Sequence, residues 1–176
     1  MSAHRMQRSA LTLPRVLACA VLAAMVALAA HGQDNKKQVE ELMRQGQQQM
    51  SKGQPRDAMK TFGKAIELDP TLPELYMLRS RARESSGRFD DAVDDATKYI
   101  ELEPNDEYGY LNRARVYLAM DKPEKALEDA NKAIQLKPDE PDGFYRRADV
   151  YSAMNKDAEA KADEAKAAEL DAKARR

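Results

Sequence analysis

The sequence has little or none of the residues on which many enzyme and metal sites depend. It contains no tryptophan, a single cysteine, Cys19, and two histidines, His4 and His31. All three of these residues lie within the first 32, so the rest of the chain has neither cysteine nor histidine. Zinc sites built on these residues, thiol nucleophiles, histidine bases and disulfides are therefore excluded for residues 33–176.

The first 32 residues have the pattern of a secretory signal peptide. Basic residues precede the uncharged run Val16 to Ala30, and small residues at Ala30 and Gly32 come just before a polar stretch. This run is shorter than the roughly 20 apolar residues that a membrane-spanning helix needs. Cys19 lies too early in the run to be a lipidation site. We expect cleavage near Gly32 and a periplasmic or secreted protein, with an uncleaved membrane anchor as the alternative.

The chain also lacks a strong charge of either sign. Its formal net charge is −1, and removal of Arg5, Arg8 and Arg15 with the first 32 residues would bring it to −4. Proteins that bind nucleic acid usually carry a basic patch or stripe. We therefore expect no nucleic-acid partner.

What the chain does have is a period of 34 residues. Proline recurs at Pro70, Pro104 and Pro138, alanine at Ala58, Ala92, Ala126 and Ala160, and leucine at Leu68, Leu102, Leu136 and Leu170. The shared period divides the chain into four units, residues 39–72, 73–106, 107–140 and 141–174. A flexible linker is expected at residues 33–38, between the signal peptide and this 39–174 domain.

Each unit has the pattern of two helices joined by a turn. Apolar residues recur three and four apart, as one face of a helix requires. The third unit shows two such stripes, Tyr110, Ala114 and Tyr117, then Leu127, Ala130 and Ile134. Prolines that suit a first helical turn stand at Pro55, Pro73, Pro123 and Pro141.

These features resemble the tetratricopeptide repeat (TPR), a helix–turn–helix of 34 residues. In the first unit the matching residues are Leu42, Gly46, Gly53, Ala58, Phe62, Ala65 and Pro70. The later units match in part, and the fourth has Ala172 where proline is expected. The resemblance implies an all-α fold, a right-handed α-solenoid of four tandem repeats and eight helices. A polar last helix, 158–174, is expected to cap it.

A second pair of series predicts contacts inside the units. Arginine recurs at Arg79, Arg113 and Arg147, and aspartate follows each by 16 residues, at Asp95, Asp129 and Asp163. The first unit has neither partner, with Gln45 and Thr61 in their places. Because the arginine and the aspartate are present together in three units and absent together in the first, we expect a charge-assisted bond between them that joins the two helices of a unit. An arginine ladder for an anionic ligand is the alternative.

Partners of this family usually lie in a concave groove lined by the first helix of each unit. By register, this groove is expected to contain Met43, Gln47, Met77, Arg81, Tyr108, Leu111, Asn112, Arg115, Leu118, Tyr145, Arg146 and Asp149; Met50 and Glu84 lie on the same faces. Methionine adapts to irregular partners, and tyrosine and arginine are enriched at binding hot spots. We expect a protein or peptide partner with apolar anchors and at least one carboxylate.

Some chaperone-binding members of the family hold a terminal carboxylate with lysine, asparagine and arginine side chains. Asn112 and Arg146 match that pattern, but Met77 replaces the lysine and Arg81 replaces the other asparagine. The set is incomplete, so that class of partner is not expected here.

The sequence does not favour catalysis. It has no glycine-rich phosphate loop, and the acidic run Asp90 to Asp95 lies within a helix pattern, unlike a calcium loop. We expect an adaptor or scaffold, with no enzymatic activity, no cofactor and no metal. The alternatives are a structural, self-associating envelope component, or a membrane-tethered assembly factor if residues 16–30 are not cleaved.

Overall fold

The computed structural model describes residues 33–175, and the expected signal peptide lies outside the described residues. The described part consists of helices without any strand. They are α1 (33–51), α2 (Pro55–Leu68), α3 (Pro73–Ser85), α4 (Phe89–Leu102), α5 (Glu107–Ala119), α6 (Pro123–Leu136), α7 (Pro141–Ala153) and α8 (Asp157–Ala174). The prediction of an all-α fold with eight helices is confirmed, and each unit supplies two of them.

Residues 33–38 differ from the flexible linker that was expected. They are helical and continuous with the rest of α1. No proline or glycine interrupts this stretch, and Val39, 3% exposed, packs against Ala65 and Leu75 immediately after it. Burial of Val39 fixes the helix, and the preceding residues extend it by further backbone hydrogen bonds.

The turn within each unit contains one residue in the left-handed region. These residues are Gly53 (φ 71°), Gly87 (φ 75°), Asp121 (φ 55°) and Asn155 (φ 58°), again spaced by 34. Glycine adopts this conformation without steric cost, and Asp and Asn tolerate it better than other residues. The same backbone turn is thus made by two kinds of residue.

The order of packing positions the groove. Among α2 to α8, each helix packs against the next, and the first helices of successive units also meet, α3 with α5 and α5 with α7. The second helices of these units, α2, α4, α6 and α8, do not contact one another. The first helices therefore lie on the inner, more closely spaced side of the array.

The core lies between helices rather than at one centre. One cluster joins Ala114 of α5, Ala126 of α6 and Val150 of α7, and Leu118 packs against it. Comparable clusters join α1, α2 and α3. A first helix therefore packs against both its own unit and the preceding one, which is how a repeat array buries apolar surface.

The last helix closes the array with small residues. Ala160, Ala167 and Leu170 are the buried apolar residues of α8, while Lys161, Glu164 and Ala168 are exposed. These charged residues keep the outer face of α8 solvated.

Candidate functional site

A pocket of about 270 Å³ lies on the inner side of the array, where α3, α5 and α7 come together. Eight of the twelve residues expected in the groove border it: Arg81, Tyr108, Leu111, Asn112, Arg115, Tyr145, Arg146 and Asp149. The pocket is slightly smaller than the 300–1,000 Å³ typical of small-ligand sites. It can take individual side chains of a partner but not a whole peptide.

The other four expected residues lie elsewhere. Leu118 packs into the cluster between α5, α6 and α7, and Met43 packs against Val39, Ala65 and Leu75. Gln47 is exposed and Met77 is half-buried, and neither borders the pocket. Leu118 and Met43 thus contribute to packing between helices, and Met43 also borders a second cavity.

The structure adds one residue that the sequence reasoning missed, Asp142. It lies in the first turn of α7 and borders the same pocket. Its position follows that of Tyr108 by 34 residues, so the period that placed Tyr108 in the groove could have found it. At the corresponding place in the second unit stands Glu74.

Asn112 is committed to a buried network. Its Nδ2 donates to Ser80 Oγ at 2.9 Å, and Ser80 Oγ donates to the carbonyl oxygen of Ala92 at 2.8 Å. The Asn112 Oδ1 accepts from Arg115 Nη2 at 2.7 Å, and Arg115 also forms an ion pair with Glu84. Asn112 is 5% exposed, and these bonds use its Oδ1 and one of its two Nδ2 hydrogens, so it positions Arg115.

Arg146 is also held from within. Its Nη1 lies 2.9 Å from Asp149 Oδ2, and its Nε is buried without a hydrogen-bond partner among the described residues. Burial lowers the pKa of Arg146 from its ordinary value, and the nearby charge of Arg115 lowers it further, while Asp149 opposes this. Burial therefore opposes the charge of Arg146, and the ion pair with Asp149 supports it.

Two charged side chains of the pocket have no ion pair or hydrogen bond with any described residue. They are Arg81 on α3 and Asp142 on α7. Beside them lie Tyr108 (49% exposed) and Tyr145 (40% exposed), the two exposed large apolar side chains of the described chain. Tyr145 is anchored, because its hydroxyl donates to Asp171 Oδ2 of α8 at 2.8 Å.

Away from the groove, each expected Arg–Asp pair is in contact. Arg113 donates through Nε and Nη2 to the two oxygens of Asp129 at 2.9 and 2.8 Å. Arg79 binds Asp95 at 2.9 and 2.7 Å, and Arg147 binds Asp163 at 2.7 and 2.8 Å, in the same two-point geometry. Their aspartates are nearly buried. These arginines therefore join helices and do not form a ladder open to an anion.

In two of these arginines, Arg113 and Arg147, the remaining guanidinium nitrogen, Nη1, donates a hydrogen bond to the preceding unit. Arg113 Nη1 donates to Thr97 Oγ1 at 3.1 Å, and Arg147 Nη1 donates to Asn131 Oδ1 at 2.8 Å. Thr97 and Asn131 come 16 residues before their arginines, as the aspartates come 16 residues after. Sequence reasoning missed these contacts, although the mirrored spacing could have revealed them. Arg79 has Gly63 at this place, which offers no side-chain acceptor.

Sequence models of the tetratricopeptide repeat match residues 42–72, 73–106 and 108–140, more than half of the chain. The chain belongs to the tetratricopeptide repeat family. The matched residues cover the second and third units and nearly all of the first, whereas α7 and α8 complete the array outside them. This fold indicates a protein–protein interaction module, and proteins of the TPR family are generally scaffolds and not enzymes.

Solved structures of the same fold extend the comparison. A crystal structure of MamA is 27% identical, covers 84% of this chain and 88% of its own, and has a TM-score of 0.67. TTC0263, a TPR protein of Thermus thermophilus, is 21% identical and covers 75% of this chain and 74% of its own, with a TM-score of 0.68. The first TPR domain of Spaghetti (RPAP3), bound to the HSP90 peptide SRMEEVD, is 21% identical and covers 68% of this chain and 94% of its own, with a TM-score of 0.61. No curated protein sequence matches the chain.

The described part of the TPR array has neither a metal site nor a membrane-spanning helix. No group of three or more carboxylate, histidine or cysteine side chains among residues 33–175 could hold a metal ion. None of the described helices is long and apolar enough to cross a membrane. A second cavity, of about 650 Å³, lies at the other end of the array and is bordered by Val39, Met43, Leu68 and Leu72. It has no arginine.

Proposed function

We propose that this TPR protein is an exported adaptor that binds a segment of another protein in the groove of α3, α5 and α7. The observation that carries the proposal is Arg81, a cation without an internal partner among the described residues, in a pocket with two exposed tyrosines. Surface arginines and tyrosines that border a pocket are the side chains most often found at binding hot spots. Among the described residues, the side chains of Arg81 and Tyr108 make no hydrogen bond or ion pair, while Tyr145 bonds to Asp171.

The pocket chemistry defines the partner. Leu111, 8% exposed, supplies an apolar base, and Tyr108 and Tyr145 extend it with ring surface. Arg81 can form a two-point bond with a carboxylate, because the guanidinium donors match the two carboxylate oxygens. The partner segment then inserts an apolar side chain towards Leu111 and places a carboxylate at Arg81. The RPAP3 domain, which holds the acidic peptide SRMEEVD, is an example of this fold binding such a segment.

The experiment is affinity capture with the full 176-residue chain carrying a C-terminal tag, from the cells that produce it. The captured partner is identified by mass spectrometry, and its binding is then measured directly by calorimetry. Arg81→Glu is the informative variant, because it breaks no ion pair and no side-chain hydrogen bond among the described residues. Arg115→Glu is less suitable, since it would place a carboxylate beside Glu84.

Arg56→Glu is the matched control. Arg56 is exposed on α2, outside the groove, and the substitution makes the same change of charge. We expect Arg81→Glu to weaken the partner's affinity about tenfold or more, and Arg56→Glu to leave it unchanged. Equal binding by both variants would contradict a groove site. Capture of the protein alone, without another chain, would favour a self-associating structural component.

Export is part of the same proposal and has its own test. It is supported by the basic, apolar and small-residue order of residues 1–32. Intact-mass measurement of the protein recovered from its producing cells should give a chain beginning near Gln33. A mass that includes residues 1–32 in a membrane fraction would instead support the tethered assembly factor.

A further inference from the structure

Some charged side chains of the pocket form ion pairs with other residues of the chain, and others do not. Arg115 is paired with Glu84, and Arg146 with Asp149, so each of these arginines is balanced by a carboxylate of the protein itself. Among the described residues, Arg81 and Asp142 are left without such a partner. The groove is therefore not a simple cationic surface: it presents one available cation and one available anion.

These two charges lie on opposite sides of the pocket. Arg81 belongs to α3 and Asp142 to α7, and α5 lies between these helices because it packs against both. Tyr108 and Leu111 of α5 border the pocket between them. A segment that crosses from α3 to α7 would meet first a positive side chain, then an apolar base, and then a negative one.

Asp142 lies beside two aromatic rings and within electrostatic range of Arg146, which follows it by one turn of α7. Tyr108 and Tyr145 both border the pocket with it and expose much of their rings. The negative charge of Asp142 is the largest cause that raises the pKa of Tyr108, with which it borders the pocket. It also contributes to the raised pKa of Tyr145, after the hydrogen bond to Asp171 and burial. Aromatic faces attract ammonium and guanidinium groups, and a nearby carboxylate adds to this attraction.

Tyr145 is held in place for such a role. Its hydroxyl bond to Asp171 ties the ring to α8, the last helix of the array. A ring fixed in this way loses little conformational freedom when a ligand arrives. Asp171 is thus a positioning residue, and α8 contributes to the groove without bordering the pocket.

We propose that Asp142, Tyr108 and Tyr145 form a subsite for a lysine or arginine side chain of the partner protein, opposite the carboxylate site at Arg81. This inference rests on the proposed function. The partner segment then carries one basic and one acidic side chain, and it binds in a single direction. A polyacidic segment is disfavoured, because its further carboxylates would meet Asp142 and Asp149.

The subsite can be tested without knowing the partner. The probe is Nα-acetyl-lysine-N-methylamide, titrated into the full chain at constant ionic strength while the ring signals of Tyr108 and Tyr145 are followed by NMR. Nα-acetyl-norleucine-N-methylamide, which lacks the ammonium group, is the matched ligand. We expect the lysine probe to shift both rings in a saturable way. The half-buried ring of Tyr151, outside the pocket, serves as an internal reference.

Three variants separate a cation site from a structural effect. Asp142→Asn should weaken lysine binding about fivefold, whereas Asp139→Asn, the same loss of charge at an exposed residue outside the pocket, should not change it. Tyr108→Phe keeps the ring and should retain binding, and circular dichroism checks that each variant is folded. Absence of a saturable shift, or equal binding by Asp142→Asn and the unchanged protein, overturns the subsite.

The outcome is distinguishable from failure of the adaptor function. If a captured partner is lost with Arg81→Glu but its affinity is unchanged in Asp142→Asn, the groove binds protein and the cation subsite is rejected. If no partner is captured, the adaptor function fails even where the lysine probe binds to the tyrosines.

Discussion

The first and third units share one backbone plan but join their two helices by different chemistry. In the first, Phe62 is fully buried against Gly46, and the polar contact is neutral, from Thr61 Oγ1 to Gln49 Oε1 at 2.8 Å. In the third, the places of Gly46 and Phe62 are taken by Ala114 and Ala130, and the Arg113–Asp129 pair is added.

The comparison shows that the repeat geometry does not depend on one kind of interior contact. Small residues at Ala58 and Ala126, both fully buried, allow the same close approach of helices in the two units. The remaining space is filled by one aromatic ring in the first unit and by a charged pair with its neighbours in the third. Substitutions in these two kinds of interior contact should therefore change the free energy of unfolding by different amounts.

The largest effect is expected at Phe62. Phe62→Ala should lower the free energy of unfolding by about 3–5 kcal/mol, because it leaves a cavity in a fully buried site. Gly46→Ala alone should cost about 1–3 kcal/mol, since a Cβ there would lie 2.6 Å from Phe62 Cζ. Urea denaturation of both variants measures these changes.

The double variant sharpens this prediction. In the Phe62→Ala background, Gly46→Ala removes no space that the ring needs, and alanine favours a helix by about 1 kcal/mol over glycine. The second substitution should therefore be neutral or stabilising there. Additive losses in the double variant would mean that the ring and the glycine are not packed as the structure has them.

The next effect is expected in the charged pair of the third unit. Arg113→Gln should cost about 3 kcal/mol, because it leaves the buried carboxylate of Asp129 without a cation. Adding Asp129→Thr gives the third unit the residues of the first and should restore much of that loss, since a neutral pair has no unbalanced charge. A double variant less stable than Arg113→Gln, by thermal denaturation, would contradict this interpretation of the pair.

A smaller loss is expected for the bond between units. Thr97→Val keeps the shape of the side chain but removes the acceptor of Arg113 Nη1. The expected cost is about 1 kcal/mol, the usual contribution of one hydrogen bond. If Thr97→Val loses no stability in thermal denaturation, water replaces the threonine hydroxyl as the acceptor of Arg113 Nη1 without a cost in free energy.

The smallest effect is a gain from a substitution in the first unit, at its contact with the second. Arg79 lacks the contact that Arg113 and Arg147 make, and a Cβ at Gly63 would lie 3.9 Å from Arg79 Nη1, an ordinary contact. Gly63→Ser and Gly63→Ala should both stabilise α2, since glycine disfavours a helix. Serine is the weaker helix former by about 0.5 kcal/mol. Equal or greater stability of Gly63→Ser therefore indicates the new hydrogen bond, and a deficit of that size indicates its absence.

Much of the fold could be predicted because its signals are local and repeated. The prolines at Pro55, Pro73, Pro123 and Pro141 are each the first residue of a helix in the structure. The spacing of 16 between arginine and aspartate gave the partners of each pair, since the two residues face each other across one turn. Residues 33–38 were expected to be a flexible linker but are helical. Burial of Val39 extends α1 beyond the repeat pattern.

The candidate site was predictable in position but not in its free charges. Register placed Arg81, Arg115 and Arg146 on the inner faces of the helices, and all three border the pocket. Spacing could not say that Glu84, 31 residues before Arg115, would pair with it. Nor could it say that Asn112 would bond to Ser80, 32 residues earlier, instead of facing a ligand.

The period and the turn residues of the sequence are sufficient to predict eight helices, the turns within the units and the Arg–Asp pairs. These features depend on contacts inside one 34-residue unit, and the same helix–turn–helix pattern recurs in all four units. Only the tertiary structure decided which groove side chains remain available, because that depends on how helices of different units lie side by side. This packing pairs Arg115 and buries Asn112, and it leaves Arg81 and Asp142 facing the pocket without partners among the described residues.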